Sequence, residues 1–286
     1  MRVLVLTFSD MSRLLAFIAC LILLLPTSAQ DECFNPDLSN DGIVGSADLL
    51  LLLSYYDLAW PLDTSVSCES SVEHQSYTYN VVQIGDQCWF AENLRAELYI
   101  NGDSIPSLLN NYSWTTTLEG ATSVYGDGSF INTSCSYYST AGSWVCDETQ
   151  SLAVFGRLYN WYAVADARGL CPSGWHVPSN VESSGLESFV MQQGFGTTAG
   201  SALKTTSGWD DEGNGTDAFG FALHPAGTRN HFAGNFSQAE RYGYWWTSTQ
   251  SGSQAYARYC AYDSSEMEQS TLYARNGLSI RCVKDQ

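Results

Sequence analysis

The chain has 286 residues, 44% hydrophobic and 13% aromatic against 15% charged, with 24 glycines and a net charge of −18. Such a composition builds a folded, turn-rich protein with a sizeable core. The acidic excess repels phosphate backbones and anionic lipid heads, so it argues against nucleic-acid partners and peripheral membrane attachment and leaves cations and neutral ligands.

Residues 1–29 read as a secretory signal, because "MSRLLAFIACLILLLPTSAQ" combines a short basic start, an apolar run and a small-residue exit that suits cleavage after Ala29. The apolar run from Leu14 to Pro26 is shorter than the roughly 20 residues of a spanning helix, so the mature chain is expected to lack a transmembrane segment. The expected location is secreted or cell-surface. Removing the signal takes away Arg2, Arg13 and Asp10, leaving 10 basic and 29 acidic residues and a net charge of −19.

Eight cysteines follow the signal: Cys33, Cys68, Cys88, Cys135, Cys146, Cys171, Cys260 and Cys282. An even number in an exported chain implies disulfides. No CxxC pair occurs and His74, His176, His224 and His231 are scattered, so zinc is not expected.

The next stretch, "DLSNDGIVGSADLLLLL", has calcium-loop spacing. Counting from Asp37, side-chain oxygens fall at the third, fifth and twelfth positions (Ser39, Asp41, Asp48), and the carbonyl of Ile43 falls at the seventh. A hard cation needs six to eight oxygens, and this periodicity wraps the chain around one. Gly42 allows the sharp turn, Val44 would pin the loop to the helix that follows, and Asp48 suits that helix's N-terminus. The pattern resembles a dockerin repeat, which implies Ca2+ held by Asp37, Ser39, Asp41, Ile43 and Asp48 in a module of residues 30–75. Dockerins carry two repeats, and no second one follows here.

From residue 76 onward a larger domain is expected, running to residue 286. "YTYNVVQIGDQCWFAENL" reads as a hairpin around the Gly85-Asp86 turn. A Gly/Ser/Thr/Asn-rich stretch from Ile100 to Gln150 needs a staple, and the proximity of Cys135 and Cys146 suggests that pair. Val154, Leu158, Trp161, Tyr162 and Ala165 recur at helical period, with Gly169 as the stop. A second helix starts at a Ser179/Glu182 capping box, turns Leu186, Phe189 and Val190 inward and stops at Gly194. Short strands broken by glycine follow to the end of the domain.

The blocks "IGDQCWFAENL", "FGRLYNWYAVADARGLCPSGWHVPS", "GFALHPAGTRN", "YGYWWTST" and "GLSIRCVKD" resemble the Fibrobacter succinogenes major paralogous domain, in order and over nearly all of residues 76–286. After Pro178 the chain departs from the family's usual continuation. The resemblance implies an α+β, C-type-lectin-like fold related to the sulfatase-modifying factors, with two helices, twisted antiparallel strands and long disulfide-braced loops. It also implies a Cys171–Cys282 disulfide. Cys33 with Cys68 would then close the small module, leaving Cys88 with Cys260 by elimination.

No GxSxG, HExxH, P-loop or dinucleotide fingerprint occurs, so the chain is read as a non-enzyme. Formylglycine-generating relatives use a late cysteine, and Cys260 occupies such a position, but a paired cysteine offers no thiolate. Asp210, Asp211, Asn214 and Asp217 could supply a second calcium loop or form a solvated turn. Fold analogy points to a binding protein, with Arg229, Tyr244, Trp245 and Trp246 as ligand-facing candidates and either Trp245 or Trp246 expected in the core by strand alternation. The partner would be a glycan or a surface protein, and the rival class is a structural or adhesive protein. Sequons stand at Asn111, Asn132, Asn214 and Asn235.

Overall fold

The computed structural model describes Val44 and residues 67–127 and 146–286. The chain divides into one unit of residues 1–64 and a second of residues 65–286. The expected calcium ligands Asp37, Ser39, Asp41, Ile43 and Asp48 lie outside the described residues, as do the signal and Cys33. Val44 is 46% exposed, and the helix it was expected to pin lies outside the described residues.

The second unit starts from a hairpin. Strand β1 (Ser71–His74) pairs antiparallel with β2 (Tyr77–Ile84), and β2 turns through Gly85-Asp86 into β3 (Gln87–Phe90). Gly85 holds φ 63°, the left-handed turn conformation that glycine adopts without steric cost. The sheet is completed from far along the chain. Val283 on β12 (Val283–Lys284) pairs with Trp89 on one side and with His176 of β6 (Trp175–His176) on the other, giving the order β1-β2-β3-β12-β6.

Two observations fix that insertion. Cys171 is joined to Cys282, the pairing the resemblance implied, with Cα atoms 5.9 Å apart. Next to it the fully buried Arg281 donates to the carbonyls of Phe90, Phe221 and Ala222 and to Oδ1 of Asn93. Burial lowers the Arg281 pKa to about 9, still well above neutrality, so the side chain stays charged and its carbonyl partners compensate it.

The other disulfides require correction. Cys68 is bonded to Cys88, not to Cys33, and Cys260 is a buried free thiol, not the partner of Cys88. The segment leading into β1 runs beside β2, with Val81 N–H donating to Ser70 O, and this carries Cys68 to within 5.6 Å of the Cys88 Cα. Cys260 lies in the strand Gln254–Ala261, buried in the core among Trp89, Leu203 and Trp245, and no sulfur among the described residues is bonded to it. Cys146 is disulfide-bonded, and the expected partner Cys135 lies outside the described residues.

The first expected helix is two helices with a strand between them. Helix α2 (Glu148–Phe155), which follows α1 (Asn111–Thr116), is capped by Asp147 and ends at Gly156, whose φ is 69°. A Cβ there would lie 2.9 Å from the Asn93 carbonyl oxygen, so this glycine is a stop and not a helical residue. Arg157–Tyr159 then forms β5 against β4 (Thr122–Val124), and α3 (Trp161–Val164) restarts under an Asn160 cap. The apolar spacing read as one helical stripe is shared by α2 (Val154), the buried strand β5 (Leu158) and α3 (Trp161, Tyr162).

Helix α4 (Asn180–Val190) forms as expected. Both halves of the Ser179/Glu182 capping box are present, and Leu186 and Val190 are buried. A π-turn over Met191–Phe195 follows, with Gly194 at φ 98°, then a short 3₁₀ turn and α5 (Ala199–Leu203).

The remaining strands form a ribbon, β7 (Ala226–Arg229) with β8 (Phe236–Ala239), and a three-stranded sheet of order β11-β10-β9. In that sheet β9 spans Tyr242–Ser251, β10 Gln254–Ala261 and β11 Glu268–Tyr273. The domain is thus mostly β with short helices, an α+β arrangement. No helix among the described residues is long and apolar enough to cross a membrane.

Candidate functional site

Strand β9 lies between two core clusters, and this decides which aromatic side chains can meet a ligand. Trp246 packs with Phe90, Tyr159 and Ile280 in one cluster, while Trp245 packs with Trp89, Phe221 and Leu223 in the other. Both indoles are fully buried, and Trp246 Nε1 donates to Tyr159 O at 2.8 Å. The expectation that one of the pair faces solvent is corrected: a strand covered on both faces buries consecutive residues.

Arg229 is corrected in the same way. It is buried, its guanidinium lies 4.3 Å over Trp114 and 5.0 Å over Phe236, and it donates to the carbonyls of Gly234 and Leu109. Nη1 is 3.7 Å from Asp127 Oδ1. Burial lowers the Arg229 pKa to about 10 and raises that of Asp127 to about 6, the latter opposed by the Arg229 charge. This is a structural ion pair, closed to ligands.

Tyr244 is different. It is only partly buried at the edge of the cluster that holds Trp246, stacked on Tyr242 with centroids 5.5 Å apart and planes 15° off parallel, and 5.1 Å from Tyr259 across the strand pair. Tyr259 donates to Glu268 Oε2 at 2.6 Å. Burial raises the pKa of Tyr244, and that of Tyr259 to about 12, so both remain neutral phenols near neutral pH.

Tyr244 forms one wall of a cleft of about 330 Å³. The strands supply Thr228 from β7, Ser237 and Gln238 from β8, Gln254 from β10, and Thr271, Leu272 and Tyr273 from β11. The loops supply Asn230, His231 and Asn276. The loop positions follow from local chemistry. Asn230 Oδ1 accepts the N–H groups of Phe232 and Ala233, an Asx turn that sets the loop. Gly234 closes it at φ 72°, where a Cβ would be 2.5 Å from Asn111 O. Asn276 Oδ1 accepts the His231 N–H and lies 3.2 Å from its Nδ1, and the His231 ring stacks 4.6 Å from Tyr273. Tyr273 is 53% exposed, and Phe232, beside His231, is 85% exposed.

A second cleft of about 450 Å³ adjoins the first and shares Ser237 and Gln238 with it, with Asn235, Arg241 and Tyr242 completing the lining. Arg241 is oriented by Nε, 2.9 Å from Asp210 Oδ2. Sequence reading missed His231, Tyr273 and the short strand β8, although "NHFAGN" carried the turn signal of paired asparagines around a glycine.

In the acidic stretch weighed as a second calcium loop or a turn, the side chains are engaged locally. Asp210 pairs with Arg241 and accepts the Asp211 N–H, Asn214 Oδ1 accepts the Trp209 N–H, and Asp217 Oδ1 accepts the Ala222 N–H. Burial raises the Asp217 pKa, and Asp211 points to solvent. These oxygens brace a turn, and among the described residues no three His, Cys, Asp or Glu side chains gather as a metal group. Cys260 is equally enclosed, with burial raising its thiol pKa to about 12.

The model of the Fibrobacter succinogenes major domain matches residues 82–284. The chain belongs to this family. The match covers every strand from the β2–β3 hairpin to β12, so both clefts lie within the Fibrobacter succinogenes major domain. No curated protein and no solved structure matches the chain.

Proposed function

We propose that the chain is an exported, non-catalytic binding protein, secreted or held at the cell surface, whose Fibrobacter succinogenes major domain recognises a neutral carbohydrate. The observation that carries this reading is the Tyr244 cleft. Hydroxyls of Thr228, Ser237 and Thr271 and amides of Asn230, Gln238, Gln254 and Asn276 converge beside the Tyr273–His231 stack. Amides and hydroxyls can both donate to and accept from sugar hydroxyls, and aromatic faces cover the apolar faces of sugar rings.

The α+β architecture, the Cys171–Cys282 link and the family resemblance support a C-type-lectin-like reading of the fold. The leading module is proposed to bind Ca2+ through Asp37, Ser39, Asp41, Ile43 and Asp48, which suits a stabilising rather than a catalytic ion. We assign no catalytic role to Cys260, because a fully buried thiol with a raised pKa is poor in thiolate. A formylglycine-type oxidase is the less favoured reading.

A glycan array probed with the full chain, in calcium and in chelator, tests the proposal. Retention of a neutral glycan by the wild type and its loss in Tyr244→Ala supports it. Retention of no glycan in either condition refutes it and favours a structural or adhesive role, for which the outward-facing Leu108, Tyr112 and Phe232 would be the contact residues.

A further inference from the structure

The two clefts share a wall, and that wall is unusual. Ser237 and Gln238 line both. Gln238 holds φ 67°, a left-handed conformation that a non-glycine residue rarely adopts. It is accommodated by Gly227 on the paired strand, itself at φ 65°, where a Cβ would be 2.4 Å from Ser237 O and 2.7 Å from Gln238 C. Two facing left-handed residues thus fix the geometry of the shared wall, and strain of this kind concentrates at binding sites.

The opposite side is continuous as well. Tyr242 and Tyr244 are two residues apart on β9 and therefore project to the same face. One lines each cleft, and their rings stack 5.5 Å apart. An aromatic surface runs from one concavity to the other, with polar side chains along both: Asn235 and Arg241 on one side, Gln254 and Asn276 on the other. A single sugar ring would occupy one cleft and leave the second to water.

We infer that the clefts form one extended groove, and that the ligand is a linear oligosaccharide spanning Ser237–Gln238, with Tyr244 forming the first subsite and Tyr242 the second. This inference rests on the carbohydrate reading above and adds chain length as the property recognised.

The test is isothermal titration of the full chain with glucose, mannose and xylose and with a linear disaccharide and tetrasaccharide of each. In at least one series the tetrasaccharide is expected to bind about tenfold or more tighter than its monosaccharide, a step of roughly 1.4 kcal/mol. Tyr242→Ala is expected to abolish that gain, so that the tetrasaccharide binds the variant no tighter than the monosaccharide does. Tyr242→Phe should keep the gain, and Tyr244→Ala should weaken both. Equal affinity for short and long members, or a gain that survives Tyr242→Ala in a variant melting at the wild-type temperature, overturns the extended groove and leaves single-ring recognition intact. Failure of every sugar to bind the wild type overturns the carbohydrate reading and the groove together.

Discussion

His176 on β6 and Glu182 on α4 are joined side chain to side chain, Nε2 to Oε1 at 2.8 Å, while the other ring nitrogen of His176 is 2.6 Å from Asp285 Oδ1. With a carboxylate at each nitrogen, only the imidazolium can donate to both. Burial lowers the pKa of His176, but the hydrogen bonds it donates to Asp285 and Glu182 and the charges of those carboxylates outweigh it and the net shift is upward. For Glu182 burial raises the pKa, but hydrogen bonds from Ser179 and His176 outweigh it and the net shift is downward. The His176 contribution is therefore complete below about pH 6.5 and lost as pH rises through its raised pKa. The Glu182 contribution is complete above about pH 4.5 and lost as pH falls through its lowered pKa. Urea denaturation across pH is expected to show an excess stability between those limits. His176→Gln should remove about 0.5–1 kcal/mol of it, a modest amount because the pair is partly exposed and screened. A variant whose pH profile parallels the wild type would contradict this.

Trp245 and Tyr244 are neighbours with opposite roles. Trp245→Ala empties a buried site and is expected to cost about 3–5 kcal/mol, with a corresponding fall in melting temperature. Tyr244→Ala should cost less, since that side chain is only partly buried, and its effect should appear in ligand binding. Comparable destabilisation by the two would contradict the assignment of Trp245 to the core.

Cys260 should be silent toward a thiol reagent in the folded protein and react once denatured. Non-reducing peptide mapping is expected to recover Cys68 linked to Cys88 and Cys171 linked to Cys282. A peptide joining Cys260 to Cys88 would contradict this pairing.

Gly227→Ala tests the shared wall. The substitution places a methyl group 2.4 Å from backbone atoms of β8 at a positive φ, so it should destabilise by more than the roughly 0.4–1 kcal/mol that Gly→Ala gains where the backbone is compatible. Thermal unfolding reads the loss, and a melting temperature equal to the wild type's would show that the β7–β8 ribbon relaxes freely.

Calcium is tested on the full chain by thermal shift. Saturation at about a hundred times the dissociation constant corresponds to roughly 2.7 kcal/mol for the module that binds it. Asp41→Ala should abolish the shift, and the absence of any calcium effect in the wild type would remove the ion from the proposal.

How far the molecule was legible depends on the range of the interactions concerned. The β2–β3 hairpin and the Ser179/Glu182 cap were readable because turn and cap chemistry act within a few residues. The break at Gly156 was not, since what leaves no room for a side chain there is the distant Asn93 backbone. Tyr244, Trp245, Trp246 and Arg229 were all candidates by fold analogy; the two tryptophans were misplaced because strand alternation cannot reveal that β9 is covered on both faces, and Arg229 because its partners Trp114 and Asp127 are distant in sequence. The Cys68–Cys88 bond escaped elimination for a related reason, as proximity there follows from the segment before β1 lying along β2. His231 and Tyr273 meet only through the packing of a loop on β11, which no local pattern announces.

The insertion of β12 between β3 and β6 has a consequence for biogenesis. Partners Phe90 and Arg281 are 191 positions apart, and contacts of such separation form late. A nascent chain that stops short of Lys284 lacks the strand that joins β3 to β6, so the five-stranded sheet cannot assemble until the end of the domain has been made. Closure of the sheet, and with it the meeting of Cys171 and Cys282, thus waits for the last residues of the domain.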